Sequence, residues 1–274
     1  MIPTFSFLFG LTIGSFLNVC IYRLPRGESI VTPRSHCPGC QRPIAAYDNI
    51  PLLSYLLLRG RCRHCRVRIS PQYFFVELAT GLLFLFCYSW YGVGLLFAKQ
   101  VIFGSLMIVL TVTDWRERLL PDRVNFPGMA MGLLFSVALP VGDGAGRWLA
   151  GWAGIQVPPV PVGSLLDALL GALVGGGLLY LLGEAYFRLR HREGMGLGDV
   201  KMMALVGCFL GPRLALLTIL LGSLGGSVLG LLFILVFRKD SSYELPFGSF
   251  LGVAAFFSAV WGWPILSWYR GFFP

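Results

Sequence analysis

The chain has 274 residues, of which 56% are hydrophobic and only 13% charged, and it carries a net charge of +9. With a mean hydropathy of +0.73 and about half the charge density of an ordinary soluble domain, it cannot cover a water-facing surface, which excludes a soluble globular enzyme and a disordered chain. An all-α polytopic membrane protein is the class that fits. Charge-free stretches predict about eight transmembrane helices, over 3–22, 74–91, 95–113, 124–141, 164–184, 199–211, 214–237 and 246–269. The first is read as a span and not a removable signal, because it lacks a basic leader region and a small-residue cleavage site. Gly151, Gly154, Pro158, Pro159 and Pro161 make 148–161 a loop or an interfacial piece. No period of 20–50 residues is apparent by eye.

Sorting the cations by side gives the orientation. The loop 23–73 holds nine Arg, and the segments after the third, fifth and seventh spans add Arg116, Arg118, Arg123, Arg188, Arg190, Arg192, Lys201, Arg238 and Lys239. That places 18 of the 22 basic residues on one side and leaves Lys99, Arg147, Arg213 and Arg270 on the other. The richer side is cytoplasmic by the positive-inside rule, so both termini are expected outside. The excess charge is then topology and not a nucleic-acid patch.

The 23–73 loop contains two CxxC pairs, Cys37/Cys40 and Cys62/Cys65, with 21 residues between them. Two thiolate knuckles at that separation are the pattern of a tetrahedral Zn²⁺ site. Four thiolates leave no open position, so such a metal is structural and would fold a small cytoplasmic domain. A redox dithiol pair is the alternative, and His36 or His64 could stand in for one ligand. Cys20, Cys87 and Cys208 lie in spans and read as packing.

Carboxylates in or beside spans are costly and carry a functional expectation. Glu77, Glu184 and Asp167 read as satisfied structural groups, the last suiting the positive end of its own helix. Asp114, Asp122 and Asp199 are different. Asp114 and Asp122 bracket "DWRERLLPD", and Asp199 follows Gly194, Gly196 and Gly198 in "GMGLGD". Counting crossings puts Asp114 and Asp199 at the same cytoplasmic border, where they can converge between helices. The glycines permit close backbone approach and positive φ, and an extended substrate segment could dock there. Two adjacent carboxyls can share one proton, activate water and polarise a carbonyl, as in aspartic peptide hydrolysis. Paired carboxylates also serve ion-coupled transporters. The residue chemistry alone leaves both open, with a membrane scaffold as a third possibility. Neither HExxH nor GxSxG occurs.

"GSFLNVCIYRLP" at 14–25, the two CxxC pairs, "TDWRERLLPD" at 113–122, "GMGLGDVK" at 194–201 and "LPFGSFL" at 245–251 together resemble the prepilin peptidases, or type IV leader peptidases. The resemblance covers most of the chain and omits only 141–163. It implies an eight-span inner-membrane aspartic protease of the GxGD class. Such enzymes cleave the short basic leader of prepilins and pseudopilins after Gly, on the cytoplasmic side. Many also methylate the new N-terminal residue with S-adenosylmethionine. The resemblance implies Asp114 and Asp199 as the catalytic pair, with Asp122 as second choice for the first aspartate. It associates the cysteine loop with the bifunctional enzymes. The residues that bind S-adenosylmethionine are not evident. Glu28, Asp48, Glu77, Glu117 and Glu193 are the counter-charges available to a basic leader. The expected domains are 1–22, 23–73 (zinc) and 74–274 (membrane catalytic).

Overall fold

In a computed structural model the described residues are 2–154, 159–191, 194–237 and 246–272. Arg192, Glu193, Arg238, Lys239, Pro158 and Leu245, all invoked above, lie outside them. The described chain is helical: α1 (Ile2–Arg23), α2 (Leu53–Leu57), α3 (Gln72–Tyr91), α4 (Leu95–Glu117), α5 (Asp122–Ala138), α6 (Ala145–Trp152), α7 (Val160–Arg190), α8 (Leu197–Leu210), α9 (Pro212–Phe237) and α10 (Phe247–Arg270). Six of these are long and apolar enough to cross a bilayer: α1, α3, α4, α7, α9 and α10. This is a multi-pass membrane protein. The other two expected spans fall on α5 and α8, which are helical but only 17 and 14 residues long.

The chain divides into two compact units, Met1–Val109 and Leu110–Pro274, with the division inside α4. In the first, α1 packs along α3, and the cysteine loop runs between them. In the second, α8 is the hub, packing on α5, α7, α9 and α10. Met202, Met203, Leu205 and Val206 of α8 are fully buried, as expected of a helix enclosed by others rather than by lipid.

The α7–α8 crossing is set by glycine. A Cβ on Gly171 would collide with the Gly207 carbonyl, and one on Gly207 with the Gly171 carbonyl. Two backbones in contact admit no side chain, and small residues serve this purpose where no hydrophobic effect drives helices together.

One expectation is sharpened and one corrected elsewhere in this unit. The 148–161 segment, expected as a loop or an interfacial piece, begins in a helix. Residues 145–152 form α6, with Trp148 and Trp152 68% and 82% exposed on one face, the placement typical of an interfacial helix. Asp167 does not serve its own helix. It lies two turns into α7 and accepts the N–H groups of Gly144 at 2.8 Å and Gly146 at 2.6 Å. Its carboxylate therefore caps α6 from outside, satisfying donors that a helix start leaves open.

Candidate active site

Asp114 lies in the last turn of α4 and Asp199 in the first turn of α8. Their side chains meet at the first turn of α10. A methyl group on Gly248 would stand 2.9 Å from Asp199 Oδ1, 3.1 Å from Asp114 Cγ and 2.9 Å from Leu120 Cδ1. The two carboxyl groups thus both lie against Gly248, where a side chain would collide with them. Leu120 also packs on Gly198, at 3.0 Å from the place of its Cβ.

The two carboxyls have unlike surroundings. Asp114 is buried and accepts two hydrogen bonds on Oδ2, from the Ser249 N–H at 2.6 Å and the Ser249 hydroxyl at 2.9 Å. Oδ1 of Asp199 is buried and has no hydrogen-bond partner among the described residues. A buried carboxyl oxygen left without a partner is costly unless a ligand or water meets it.

Asp122 is placed otherwise. Its carboxylate is half exposed and ion-paired with Lys201, whose Nζ lies 2.8 and 2.9 Å from its two oxygens. This pair ties the start of α5 to the first turn of α8, two residues beyond Asp199. The glycines before Asp199 make close contacts but not the expected positive φ. Gly194 abuts the Tyr186 ring, and Gly196 sits at φ −75°, ψ 141° as the residue before α8. None of the three has positive φ. Sequence reading did not single out Gly248 and Ser249 as site residues, although both lie in the "LPFGSFL" segment that carries part of the resemblance.

Glu184 pairs with Arg188 at 2.8 Å, one helical turn on. Glu77 accepts the Leu52 N–H at 2.8 Å. Both are partnered groups.

The cysteine loop is built from two equivalent knuckles, a repeat of 25 residues that the sequence reading did not find. Gln41 N–H donates to the Cys37 carbonyl, and Cys37 N–H to the Arg42 carbonyl. The same pattern recurs as Arg66 to Cys62 and Cys62 to Val67. Gln41 and Arg66, each following the second cysteine of its pair, have φ of 58° and 60°. Antiparallel bridges His36–Pro43 and Arg61–Arg68 close the two knuckles. The four sulfurs lie within 4.8 Å of one another, and Cys37 Sγ is 3.7 Å from Cys65 Sγ. A tetrahedron with Zn–S bonds of about 2.3 Å has edges of about 3.8 Å, so the donor set fits such an ion. The Cys65 and His64 N–H groups, hydrogen-bonded to Cys62, pull its thiol down to about 7, toward the thiolate that a metal needs. Beside the first knuckle is a cavity of about 570 Å³, lined by Val19, Ile30, Arg34, Ile44 and Asn49 among others.

Comparison with known proteins accounts for both parts of the chain. Residues 8–91 match the family model described as the bacterial peptidase A24 N-terminal domain, and residues 101–231 that of the type IV leader peptidase family. A protein of Aeromonas salmonicida named prepilin leader peptidase/N-methyltransferase is 36% identical over 288 residues, covering 96% of this chain and 92% of that one. Proteins of the same name from Myxococcus xanthus and Pseudomonas putida are 39% and 31% identical, covering 90% and 94% of this chain and 69% and 90% of theirs. No solved structure matches. On the family match and on relatives that align along nearly its whole length, the chain belongs to the type IV leader peptidase family.

Proposed function

We propose that this protein is a prepilin leader peptidase and N-methyltransferase, with Asp114 and Asp199 as the peptidase pair. One observation carries the assignment: both carboxyl groups lie against Gly248, at the same turn of α10. A water held between the two carboxyl groups would be within reach of both. One carboxylate takes a proton from the water as its oxygen attacks the scissile carbonyl carbon. The other carboxyl gives its proton to the carbonyl oxygen. Collapse of the tetrahedral intermediate breaks the C–N bond, and the amine leaves with a proton returned by the pair. Asp122, held by Lys201, is a positioning group and not the first aspartate.

The reading extends to topology. With α5 and α8 counted, the chain crosses eight times, as its domain order 1–22, 23–73 and 74–274 expects. The site then faces the cytoplasm, where the basic leader of a prepilin or pseudopilin meets its apolar helix, and both termini lie outside. Cys37, Cys40, Cys62 and Cys65 would hold a structural Zn²⁺, which locks the two knuckles together. The 570 Å³ cavity is of ligand size. Arg34, Val19, Ile30 and Ile44 in its lining are the residues that would hold S-adenosylmethionine. That compound supplies the methyl group.

A transporter reading has less support. Asp114 and Asp199 occupy helix ends and not the middle of spans, whereas coupling sites cluster near the bilayer midplane. The test is incubation of the purified chain with a prepilin and S-adenosylmethionine, followed by the mass of the product's N-terminus. Asp114→Asn and Asp199→Asn should each abolish cleavage in a folded protein. Wild-type cleavage by either variant would refute the pair.

A further inference from the structure

The cysteine loop carries a short helix whose apolar face is left exposed among the described residues. In α2, Leu53, Leu56 and Leu57 are 50%, 61% and 73% exposed. Their spacing of three and four residues places them on one side of the helix. The opposite side is occupied. Ser54 is buried and donates to the Tyr47 carbonyl at 2.9 Å, and the Tyr55 ring lies 5.7 Å from that of Phe74 at the start of α3.

The depth of α2 follows from its tether. The Leu52 N–H donates to Glu77 Oε2 at 2.8 Å. The 20 residues of α3, at about 1.5 Å each, span about 30 Å, the hydrocarbon thickness of a bilayer. Glu77 is the sixth residue of α3 and so lies about 7 Å beneath its first. Its side chain leans back toward the helix start, so the chain at Leu52 is held beside the first two turns of α3. Interfacial amphipathic helices bury their apolar face about 5–10 Å into the headgroup and acyl boundary. The charge suits that place as well: the 23–73 loop has nine Arg against only Glu28 and Asp48, and Arg59 and Arg61 follow α2 directly. Basic residues at this level are drawn to anionic headgroups.

We propose that α2 is a membrane-surface anchor. Leu53, Leu56 and Leu57 insert into the leaflet that borders the loop, and Arg59 and Arg61 meet its anionic lipids. The cysteine domain is thereby held against the bilayer at a fixed height.

The test uses the full chain in nanodiscs of phosphatidylethanolamine and phosphatidylglycerol. A photo-crosslinking residue, p-benzoylphenylalanine, replaces Leu53, Leu56 or Leu57 in turn. Leu82 of α3, 51% exposed in the middle of a span, serves as the lipid-facing reference, and Arg42 as the water-facing one. Lipid adducts at Leu56 and Leu57 should approach those at Leu82 and exceed those at Arg42 by about tenfold, the contrast expected between an inserted and a solvated site. Adducts to a second copy of the chain or to an added prepilin in place of lipid would overturn the anchor, as would failure to label lipid where Leu82 succeeds. A second variant, Leu56→Asp with Leu57→Asp, should lose lipid adducts at Leu53 while metal content stays unchanged. Loss of metal would instead make the leucines part of the domain's own core and overturn the proposal.

Discussion

Ser249 holds Asp114 by two donors on one oxygen, its N–H at 2.6 Å and its hydroxyl at 2.9 Å. Ser249 is the third residue of α10, so its N–H has no carbonyl four residues back and is shared between Asp114 and the Pro246 carbonyl at 3.2 Å. The carboxylate of α4 therefore caps the start of α10, where the dipole favours negative charge. The hydroxyl has one hydrogen, and the Thr111 carbonyl at 3.0 Å competes for it. Ser249→Ala removes the hydroxyl and keeps the N–H. A charge-assisted hydrogen bond is worth about 1.5–3 kcal/mol, so leader cleavage should slow by roughly tenfold to a hundredfold. Ser249→Thr should restore much of it. Steady-state cleavage rates of the two variants, with helicity as a control, decide the point.

Gly248 makes a sharper prediction. Its Cβ position is 2.9 Å from Asp199 Oδ1 and 3.1 Å from Asp114 Cγ, so a methyl group would press on both carboxyls and displace them. Gly248→Ala should abolish cleavage while the protein stays folded in membranes. Methylation of a pre-cleaved pilin should be retained, since the first unit is untouched. Cleavage at more than about a tenth of the normal rate, little over 1 kcal/mol of barrier, would show that the placement of the two carboxyls against Gly248 does not matter to the reaction.

The Asp122–Lys201 pair is partly exposed, with side chains 52% and 32% accessible. Such pairs contribute about 0–1 kcal/mol. Asp122→Asn and Lys201→Met should each reduce cleavage by less than about tenfold, and the double variant should cost no more than either alone. Complete loss with Asp122→Asn would reassign the first aspartate.

Metal removal should divide the two activities. The four thiols and the neighbouring cavity lie in the first unit, and the carboxyl pair lies in the second. Cys40→Ser should lower bound zinc and impair methylation at least as much as cleavage. Metal analysis alongside product mass checks this, and an unchanged zinc content would eliminate the four-thiolate site.

Much of this site was legible in the residues because its signals are chemical and sparse. The cysteine spacing survives into four converging sulfurs. Asp114 and Asp199 stand out because carboxylates at a membrane border are few. What stayed hidden is geometric. The two knuckles repeat after 25 residues in backbone hydrogen bonds; in sequence, 36–44 and 61–69 share only Cys37/Cys62, Cys40/Cys65 and Ile44/Ile69 at that spacing, too few identities to stand out as a repeat. Helix α6 was concealed by the Gly and Pro residues around it, and the donors that start it are satisfied by Asp167 from a different helix. Ser249 acts through a contact 135 residues away in sequence, beyond the reach of any local pattern. The glycines before Asp199 were singled out for a freedom of φ that they do not use.

The contact between Gly171 and Gly207 makes α8 a depth gauge. Backbone pressed on backbone leaves no pliable side chain to absorb sliding, so α8 is fixed along its own axis. Asp199 stands eight residues from Gly207, about 12 Å along the helix. A helical substrate displaced by one residue in the bilayer presents its bond about 1.5 Å too high or too low, a misplacement that catalysis does not tolerate. On the proposed assignment of Asp199, the height at which the substrate floats would then select the bond, without a reading of the apolar sequence beyond it.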